Sequence, residues 1–266
     1  MEFESKILHV KLSKRKIHFI PNVVYSQVPT FESPNKLLLL DLLVPQFNRP
    51  MPTVIFVTGG AFIASDRSRM IQLRMRLAEA DYVVASITYR TVPNAAFPAP
   101  IEDVKSAIRF LKANAGRFPI DPNQISVIGD SAGGYLTTFA AVTNGSKLFN
   151  VGDNLNQSSA IIAAVNLYGV LDPIRLRVGF AAEKDAAAAN PINYITTDSA
   201  PMLLMHGSND KMVPPVETEK LFIALKNAGV ETERYIVPDA DHAGAYWVQD
   251  EVLDLIVNWL DRRVQK

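Results

Sequence analysis

A serine flanked by glycines, at residues 129–133, is the sequence feature that most directly suggests chemistry. The five residues read Gly-Asp-Ser-Ala-Gly, with Ser131 at the centre. A β-branched apolar run precedes them and small apolar residues follow, so the chain is expected to turn sharply from a strand into a helix at the serine. The glycines allow strand and helix to approach closely, which leaves the hydroxyl at the edge of the sheet. The pattern predicts a nucleophile elbow.

A serine hydroxyl needs a base to accept its proton and a third group to orient that base. Of the four histidines, His9 and His18 lie in N-terminal strand-like runs, and His206 lies inside an apolar run, where a structural imidazole is expected. His242 lies in the polar loop DADHAGAYW, between the last predicted strand and the last predicted helix. Loops after parallel strands gather functional groups. His242 is therefore the predicted base.

The acid that orients this base is predicted to be Asp210. On this architecture the three residues follow the chain order Ser, Asp or Glu, His, and Asp210 comes just after the apolar run 202–207. Three other aspartates compete for the role, and turn or cap positions account for them better: Asp198, Asp239 and Asp241.

Acyl transfer also needs N–H donors aimed at the oxygen on which negative charge develops. Ala132 follows the nucleophile at a predicted helix N-terminus, whose dipole favours negative charge. The glycine-rich loop 58–62, with sequence TGGAF, presents further amides, and Gly60 and Ala61 are the favoured donors, with a plain turn as the alternative. Aromatic residues near the motif ends are candidates for a substrate pocket, with core packing as the equal alternative: Phe62, Tyr135, Tyr168, Tyr246 and Trp247.

Short apolar runs alternate with segments of helical period from about residue 50 onward, which is typical of βαβ units around a mostly parallel sheet. Strands are predicted at 53–58, 82–89, 125–130, 161–169, 202–207 and 232–238. Helices are predicted at 69–80, 101–113, 131–142, 214–228 and 247–263. Strand-like runs at 6–12, 16–20 and 37–44 predict an antiparallel sheet edge. The irregular stretch 171–199 is long for a plain connection and is the candidate for a small lid.

Composition excludes several classes of protein. The 266 residues carry 27 basic and 27 acidic side chains, so there is no net charge to attract nucleic acid or an anionic membrane. The chain has no cysteine, which excludes disulfides, thiolate metal sites and thiol nucleophiles. The scattered histidines imply no metal, and no cofactor is implied. The basic run Lys11, Lys14, Arg15, Lys16 is interpreted as a solvated strand face.

No stretch is long enough to span a membrane, and the first residues lack the pattern of a secretory signal. A cytoplasmic location is therefore expected.

Taken together, the motifs resemble one family. They are LLLLDLLVP, TGGAF, ITYR, the block PAPIEDVKSAIRFLKANAGRFPIDPNQISVIGDSAGG, MHGSND and DADHAG, in this order. They resemble the α/β-hydrolases, within them serine carboxylesterases of the hormone-sensitive-lipase-like and small carbohydrate-esterase kind. The resemblance implies one domain over 1–266, with a mostly parallel, twisted sheet of about eight strands, helices on both faces and a lid insertion at about 171–199. It also implies a triad of Ser131, Asp210 and His242.

Two departures from the family pattern affect what is carried over. Thr58 stands where relatives usually have a histidine before the glycine pair, which bears on how the oxyanion loop is braced. The first fifty residues read as strands, so the large helical cap of many relatives is expected to be absent.

The leading functional hypothesis is serine-dependent hydrolysis of small-molecule carboxylic esters, with short-chain or aromatic acyl groups, through an acyl-enzyme. Amide or formamide hydrolysis, as in an arylformamidase or a small serine peptidase, is the first alternative because the same triad serves both bonds. A catalytically silent hydrolase homologue that binds a ligand is the second.

Overall fold

One eight-stranded sheet organises the chain in the computed structural model, which describes residues 5–264. The strand order is β1-β2-β4-β3-β5-β6-β7-β8. The strands are β1 Ile17–Val28, β2 Lys36–Pro45, β3 Met51–Val57, β4 Val83–Ile87, β5 Ile120–Asp130, β6 Ala163–Leu167, β7 Met202–Gly207 and β8 Thr232–Val237. β2 pairs antiparallel with β1 and β4, and all other neighbours are parallel. The predicted α/β sheet with its antiparallel N-terminal edge is confirmed.

Helices cover both faces of this sheet. They are α1 Ile71–Glu79, α2 Ala99–Ala113, α3 Ala132–Val142, α4 Val216–Asn227 and α5 Asp250–Asp261. The apolar sides of α2, α3 and α4 enter one core cluster, and those of α1 and α5 enter the other. Successive side chains of β3 serve the two clusters alternately, and every residue of that strand is buried. A central parallel strand buried on both faces reads as a continuous apolar run, which is why it was recognisable from sequence.

The predicted strand at 6–12 is wrong. Residues 5–16 form no strand, and β1 begins at Ile17. The apolar side chains of the predicted run are solvent-exposed, with Leu8 at 84% and Leu12 at 91%. A run of β-forming residues becomes a strand only where a neighbouring strand pairs with it. The same correction applies to Lys14 and Arg15, which lie in this irregular segment and not on a strand face. Lys14 forms an ion pair with Glu79 of α1, and Arg15 forms one with Asp81, just after that helix.

The stretch 171–199, the lid candidate, contains three short 3-10 helices: Pro173–Leu176, Glu183–Asp185 and Pro191–Tyr194. Glu217, at the start of α4, anchors its beginning. The buried carboxylate accepts from the Leu171 and Asp172 amides at 3.2 and 3.1 Å and from Arg175 Nη1 at 2.7 Å. Further along, the Phe180 ring stacks on the Phe62 ring at 3.9 Å between centroids. Thus both α4 and the loop after β3 hold this stretch in place.

Between residues 5 and 264, none of the helices combines the length and the apolar character needed to cross a bilayer.

Candidate active site

Three side chains that are distant in sequence meet at the carboxyl ends of the parallel strands. Ser131 follows β5, Asp210 follows β7 and His242 follows β8. The Ser131 Oγ lies 2.8 Å from His242 Nε2, and His242 Nδ1 lies 2.7 Å from Asp210 Oδ2. A carboxylate can only accept, so Nδ1 carries the proton of the neutral ring and Nε2 is free to accept from the serine hydroxyl. The three residues predicted as a triad are therefore in a continuous hydrogen-bonded row.

The turn that carries Ser131 has the geometry expected of a nucleophile elbow. Ser131 has φ 51° and ψ −118°, a strained backbone conformation for a residue with a side chain. Its N–H donates to the carbonyl of Leu167 on the neighbouring strand, at 2.9 Å. Gly133 permits the close approach of α3 to the sheet, because a Cβ there would overlap the carbonyl oxygen of Val57. The fold thus holds the serine in a conformation that an isolated peptide would avoid.

The Asp210 carboxylate, the predicted acid, accepts from four donors. Asp210 Oδ1 accepts from the amides of Met212 and Val213, at 3.0 and 2.8 Å. Oδ2 accepts from His242 and also from His206, the latter at 3.2 Å. Burial alone acts to raise the pKa of Asp210, but the hydrogen bonds from His206, His242 and the Val213 amide outweigh it and bring the pKa well below its usual range. The carboxylate is therefore ionised at any pH where the base is neutral.

The predicted oxyanion loop lies beside the serine. A Cβ on Gly59 would be 3.0 Å from Ser131 Cβ, which places the loop directly against Ser131. Gly60, Ala61 and Phe62 have successive positive φ values of 151°, 51° and 63°, so the backbone folds back on itself there. Ala132 is the first residue of α3, and an N–H at that position has no acceptor inside its own helix. The loop after β3 and the first turn of α3 thus both lie next to Ser131.

Sequence reasoning missed the groups that brace this loop. Asp130, the residue before the serine, accepts from the Gly59 N–H at 2.7 Å, and Arg69 Nη1 donates to the Gly59 carbonyl at 3.2 Å. Arg69 Nη2 also lies 3.7 Å from Asp130 Oδ2, so one ion pair holds both sides of Gly59. The Tyr89 hydroxyl donates to the Thr58 carbonyl at 2.7 Å. Burial raises the pKa of Asp130, with the Gly59 N–H and Arg69 acting in the opposite direction.

Thr58, which replaces the usual histidine, is buried, and its hydroxyl donates to the Gly59 carbonyl at 3.1 Å. In this chain, the loop is therefore braced by Asp130, Arg69 and Tyr89 around a small threonine. Asp130 lies inside the recognised motif and offered a signal. Tyr89 likewise lies inside the ITYR motif, whereas Arg69 lies in no motif and is brought to the loop only by the fold.

The five aromatic pocket candidates lie in three different environments. Phe62 and Tyr135 are fully buried and pack with Phe180 of the lid candidate, at 3.9 and 5.5 Å between ring centroids. Tyr168 packs edge-on against the His242 ring at 5.0 Å and against Trp247 at 4.4 Å. Tyr246 is 46% exposed. Of the five, only Tyr168 has a ring contact with a member of the row of three.

Among the described side chains, no three of the types His, Cys, Asp or Glu are grouped so as to hold a metal ion.

Fold and site together define an α/β-hydrolase. The family model described as BD-FAE matches residues 40–225, and the chain belongs to this family. Esterase LipC of Mycobacterium tuberculosis is 34% identical over 216 residues, which is 73% of this chain and 53% of LipC. Esterase LipQ of the same organism is 31% identical over 214 residues, 73% of this chain and 51% of LipQ. This chain thus spans about half the length of these curated relatives.

Among solved structures, a truncated form of a carbohydrate esterase from gut microbiota superposes with a TM-score of 0.83 at 26% identity, covering 94% of this chain and 97% of that one. The agreement extends over nearly all of both chains.

Proposed function

We propose that this chain is a serine carboxylesterase that hydrolyses small-molecule esters through an acyl-enzyme, with Ser131 as nucleophile, His242 as general base and Asp210 as the orienting acid. The observation that carries the proposal is the continuous series of hydrogen bonds from Ser131 through His242 to Asp210. The Asp210 carboxylate accepts four hydrogen bonds, and its lowered pKa keeps it ionised. The matched relatives are named esterases, which supports ester over amide hydrolysis.

In the first half of the reaction, His242 Nε2 takes the proton of the Ser131 hydroxyl as the oxygen attacks the ester carbonyl. The imidazolium that forms is stabilised by Asp210 and then protonates the departing alkoxide, which leaves as the alcohol. In the second half, water gives its proton to His242, attacks the acyl-enzyme and releases the carboxylic acid. The serine regains its proton from the same ring.

The amides of Gly60, Ala61 and Ala132 are the proposed donors to the tetrahedral oxyanion. Each such donor is worth about 10²–10³ in rate at comparable sites. The brace of Asp130 and Arg69 around Gly59 keeps the loop in place before substrate arrives, so no free energy of reorganisation is spent during the reaction.

The proposed substrates are esters of short-chain or aromatic acids. The chain is proposed to be a single α/β-hydrolase domain in which the stretch 171–199 acts as a small lid. Two anchors support this role, the Glu217 carboxylate at its start and the stacking of Phe180 on Phe62 of the oxyanion loop. The fully buried rings of Phe62, Phe180 and Tyr135 pack against one another and join this stretch to the proposed oxyanion loop.

A fluorophosphonate probe tests the nucleophile directly. We expect it to label the wild-type protein and the matched variant Ser208→Ala, whose hydroxyl lies in a neighbouring loop, and to leave Ser131→Ala unlabelled. Turnover of p-nitrophenyl acetate and butyrate is expected to exceed that of formyl-kynurenine. Folded wild-type protein that resists the probe would instead indicate a ligand-binding homologue, and faster formyl-kynurenine turnover would indicate a formamidase.

The pH profile tests the division of roles between base and acid. A general base must be unprotonated to accept the serine proton, so activity is expected to be lost when the pH is made acidic. The lowered pKa of Asp210 keeps the acid ionised as the pH falls, so protonation of the acid should not contribute to the loss of kcat/KM. Activity that does not respond to acidification contradicts the assignment of a general base.

A further inference from the structure

His206 is a fully buried histidine that the mechanism above does not use. It lies in β7, one residue before the end of the strand, and its ring is surrounded by polar partners on both sides. Nε2 lies 2.8 Å from the Val213 carbonyl oxygen and 3.2 Å from Asp210 Oδ2. Nδ1 lies 3.0 Å from the Thr218 hydroxyl, on α4.

These partners fix the tautomer of the ring. The Val213 carbonyl and the Asp210 carboxylate can only accept, so Nε2 carries a proton and donates to both. In the neutral ring Nδ1 is then an acceptor. The single hydrogen of the Thr218 hydroxyl has two acceptors within reach, Nδ1 at 3.0 Å and the Pro215 carbonyl at 3.2 Å, and donation to the nearer one, Nδ1, suits this tautomer. Thr218 therefore orients the His206 ring as Asp210 orients the His242 ring.

The two histidines share one atom of the acid. Asp210 Oδ2 receives the Nδ1–H of His242 at 2.7 Å and the Nε2–H of His206 at 3.2 Å, while Oδ1 is occupied by two backbone amides. A carboxylate with donors on both oxygens cannot rotate about its terminal bond without losing hydrogen bonds. An apolar residue at position 206 would leave the Val213 carbonyl unpaired in the interior and remove the second donor from Oδ2.

We propose that His206 is a positioning residue for the hydrolytic reaction: its Nε2–H holds Asp210 Oδ2 in line with His242 Nδ1, and the Thr218 hydroxyl keeps the proton of His206 on the nitrogen that does this. The proposal rests on the function proposed above. It adds two residues to the hydrogen-bonded chain of side chains, which then runs from Ser131 through His242, Asp210 and His206 to Thr218.

Two amide variants of His206 test this, since they differ by one methylene. In His206→Gln the side-chain amide reaches the position of Nε2, and in His206→Asn it falls short of Asp210. We expect kcat for p-nitrophenyl acetate to fall about 10- to 100-fold in His206→Asn, with KM within about twofold of the wild type, and to be largely restored in His206→Gln. Thr218→Val should lower kcat by severalfold, and Thr218→Ser should not.

Proton NMR supplies a readout that does not depend on turnover. The Nδ1–H of His242 in a short bond to a carboxylate gives a resonance far downfield, which His242→Ala identifies by its loss. We expect this resonance to shift or broaden in His206→Asn and to persist in His206→Gln, both measured well below their Tm. Equal kcat and an unchanged resonance in folded His206→Asn would overturn the positioning role and leave the esterase function standing.

The opposite failure is also recognisable. A wild-type protein without ester turnover, in which Ser131 resists the fluorophosphonate probe, defeats the proposed function, whereas the NMR comparison still reports whether His206 positions Asp210. If His206→Asn does not fold, Thr218→Val and Thr218→Ser carry the same test from the other side of the ring, and identical kcat and resonance in these two variants count against the proposal.

Discussion

The nucleophile elbow and the acid loop deliver their side chains to the same point by different means. The elbow is set by backbone shape: Ser131 has a strained φ, and Gly133 sits where no Cβ fits. The acid loop is set by hydrogen bonds to the Asp210 side chain from two amides and two imidazoles. A substitution that the backbone of the elbow cannot accommodate should disrupt the packing around it as a whole, whereas the acid loop can lose one hydrogen bond and keep the others. We therefore expect variants in the elbow to lower the stability of the fold, and variants in the acid loop to lower kcat by amounts that depend on which hydrogen bond is lost.

The largest effect is expected from Gly133→Ala. The added Cβ would overlap the Val57 carbonyl, so α3 or β3 must shift within a close-packed core. We expect the free energy of unfolding, measured by urea denaturation, to fall by at least about 3 kcal/mol, with all activity lost. The matched control is Gly116→Ala, where nothing lies within 4 Å of the new Cβ and stability should be nearly unchanged. Equal stability in the two variants would mean that the elbow is more deformable than this comparison holds.

Asp210→Asn is the corresponding change in the acid loop. The amide keeps an oxygen to accept from the Val213 N–H, so the loop should fold, but its NH₂ group facing His242 favours the wrong tautomer of the base. We expect kcat to fall about 10⁴-fold with Tm changed by only a few degrees. Asp239→Asn, an exposed aspartate in the loop of the base, is the control and should retain activity. A loss smaller than about tenfold in Asp210→Asn contradicts the role of the acid.

Asp130→Ala breaks the connection between the two sides of the oxyanion site. It removes the acceptor of the Gly59 N–H and the ion-pair partner of Arg69, so the loop is no longer held in position beside Ser131. We expect a fall of about 10²-fold in kcat, the size of one lost oxyanion donor, with KM little changed. Asp130→Asn retains an oxygen for the Gly59 N–H and should recover most of the loss. If the two variants are equally slow, the negative charge of Asp130 matters more than the hydrogen bond.

The same contrast explains which parts were predictable from sequence. The central strands are buried on both faces and therefore read as apolar runs, and Ser131 and Asp210 are recognisable as polar side chains in the loops that follow such strands. His242 is recognisable in the same way in the loop after β8, although β8 is an edge strand and only partly buried. The failed strand at 6–12 had the composition of a strand without a neighbour to pair with, and pairing is decided by the tertiary fold.

The bracing contacts could not be predicted because no local pattern shows which groups meet. Asp130 and Tyr89 lie inside recognised motifs and Arg69 lies in none, but only the fold sets the three side chains against the proposed oxyanion loop. The apolar run around His206 predicts a structural imidazole, and its contact with Asp210 Oδ2 arises because the loop after β7 folds back on the strand, which no local pattern predicts.

Arg69→Met is expected to have the smallest effect of these variants. It tests whether the hydrogen bonds that hold the oxyanion loop can be lost one at a time. The Arg69 side chain is 41% exposed, whereas its partner Asp130 is fully buried and keeps the Gly59 N–H as a donor, so the free energy of unfolding should fall by about 1–2 kcal/mol. Its hydrogen bond to the Gly59 carbonyl is one of several that hold the loop, because Asp130 still holds the N–H side and Tyr89 still holds Thr58. We therefore expect kcat to fall about three- to tenfold, with Arg69→Lys in between, measured at low and high salt. A loss as large as that of Asp130→Ala would mean that the ion pair acts as a unit, and the oxyanion loop would then belong with the elbow as an all-or-none device.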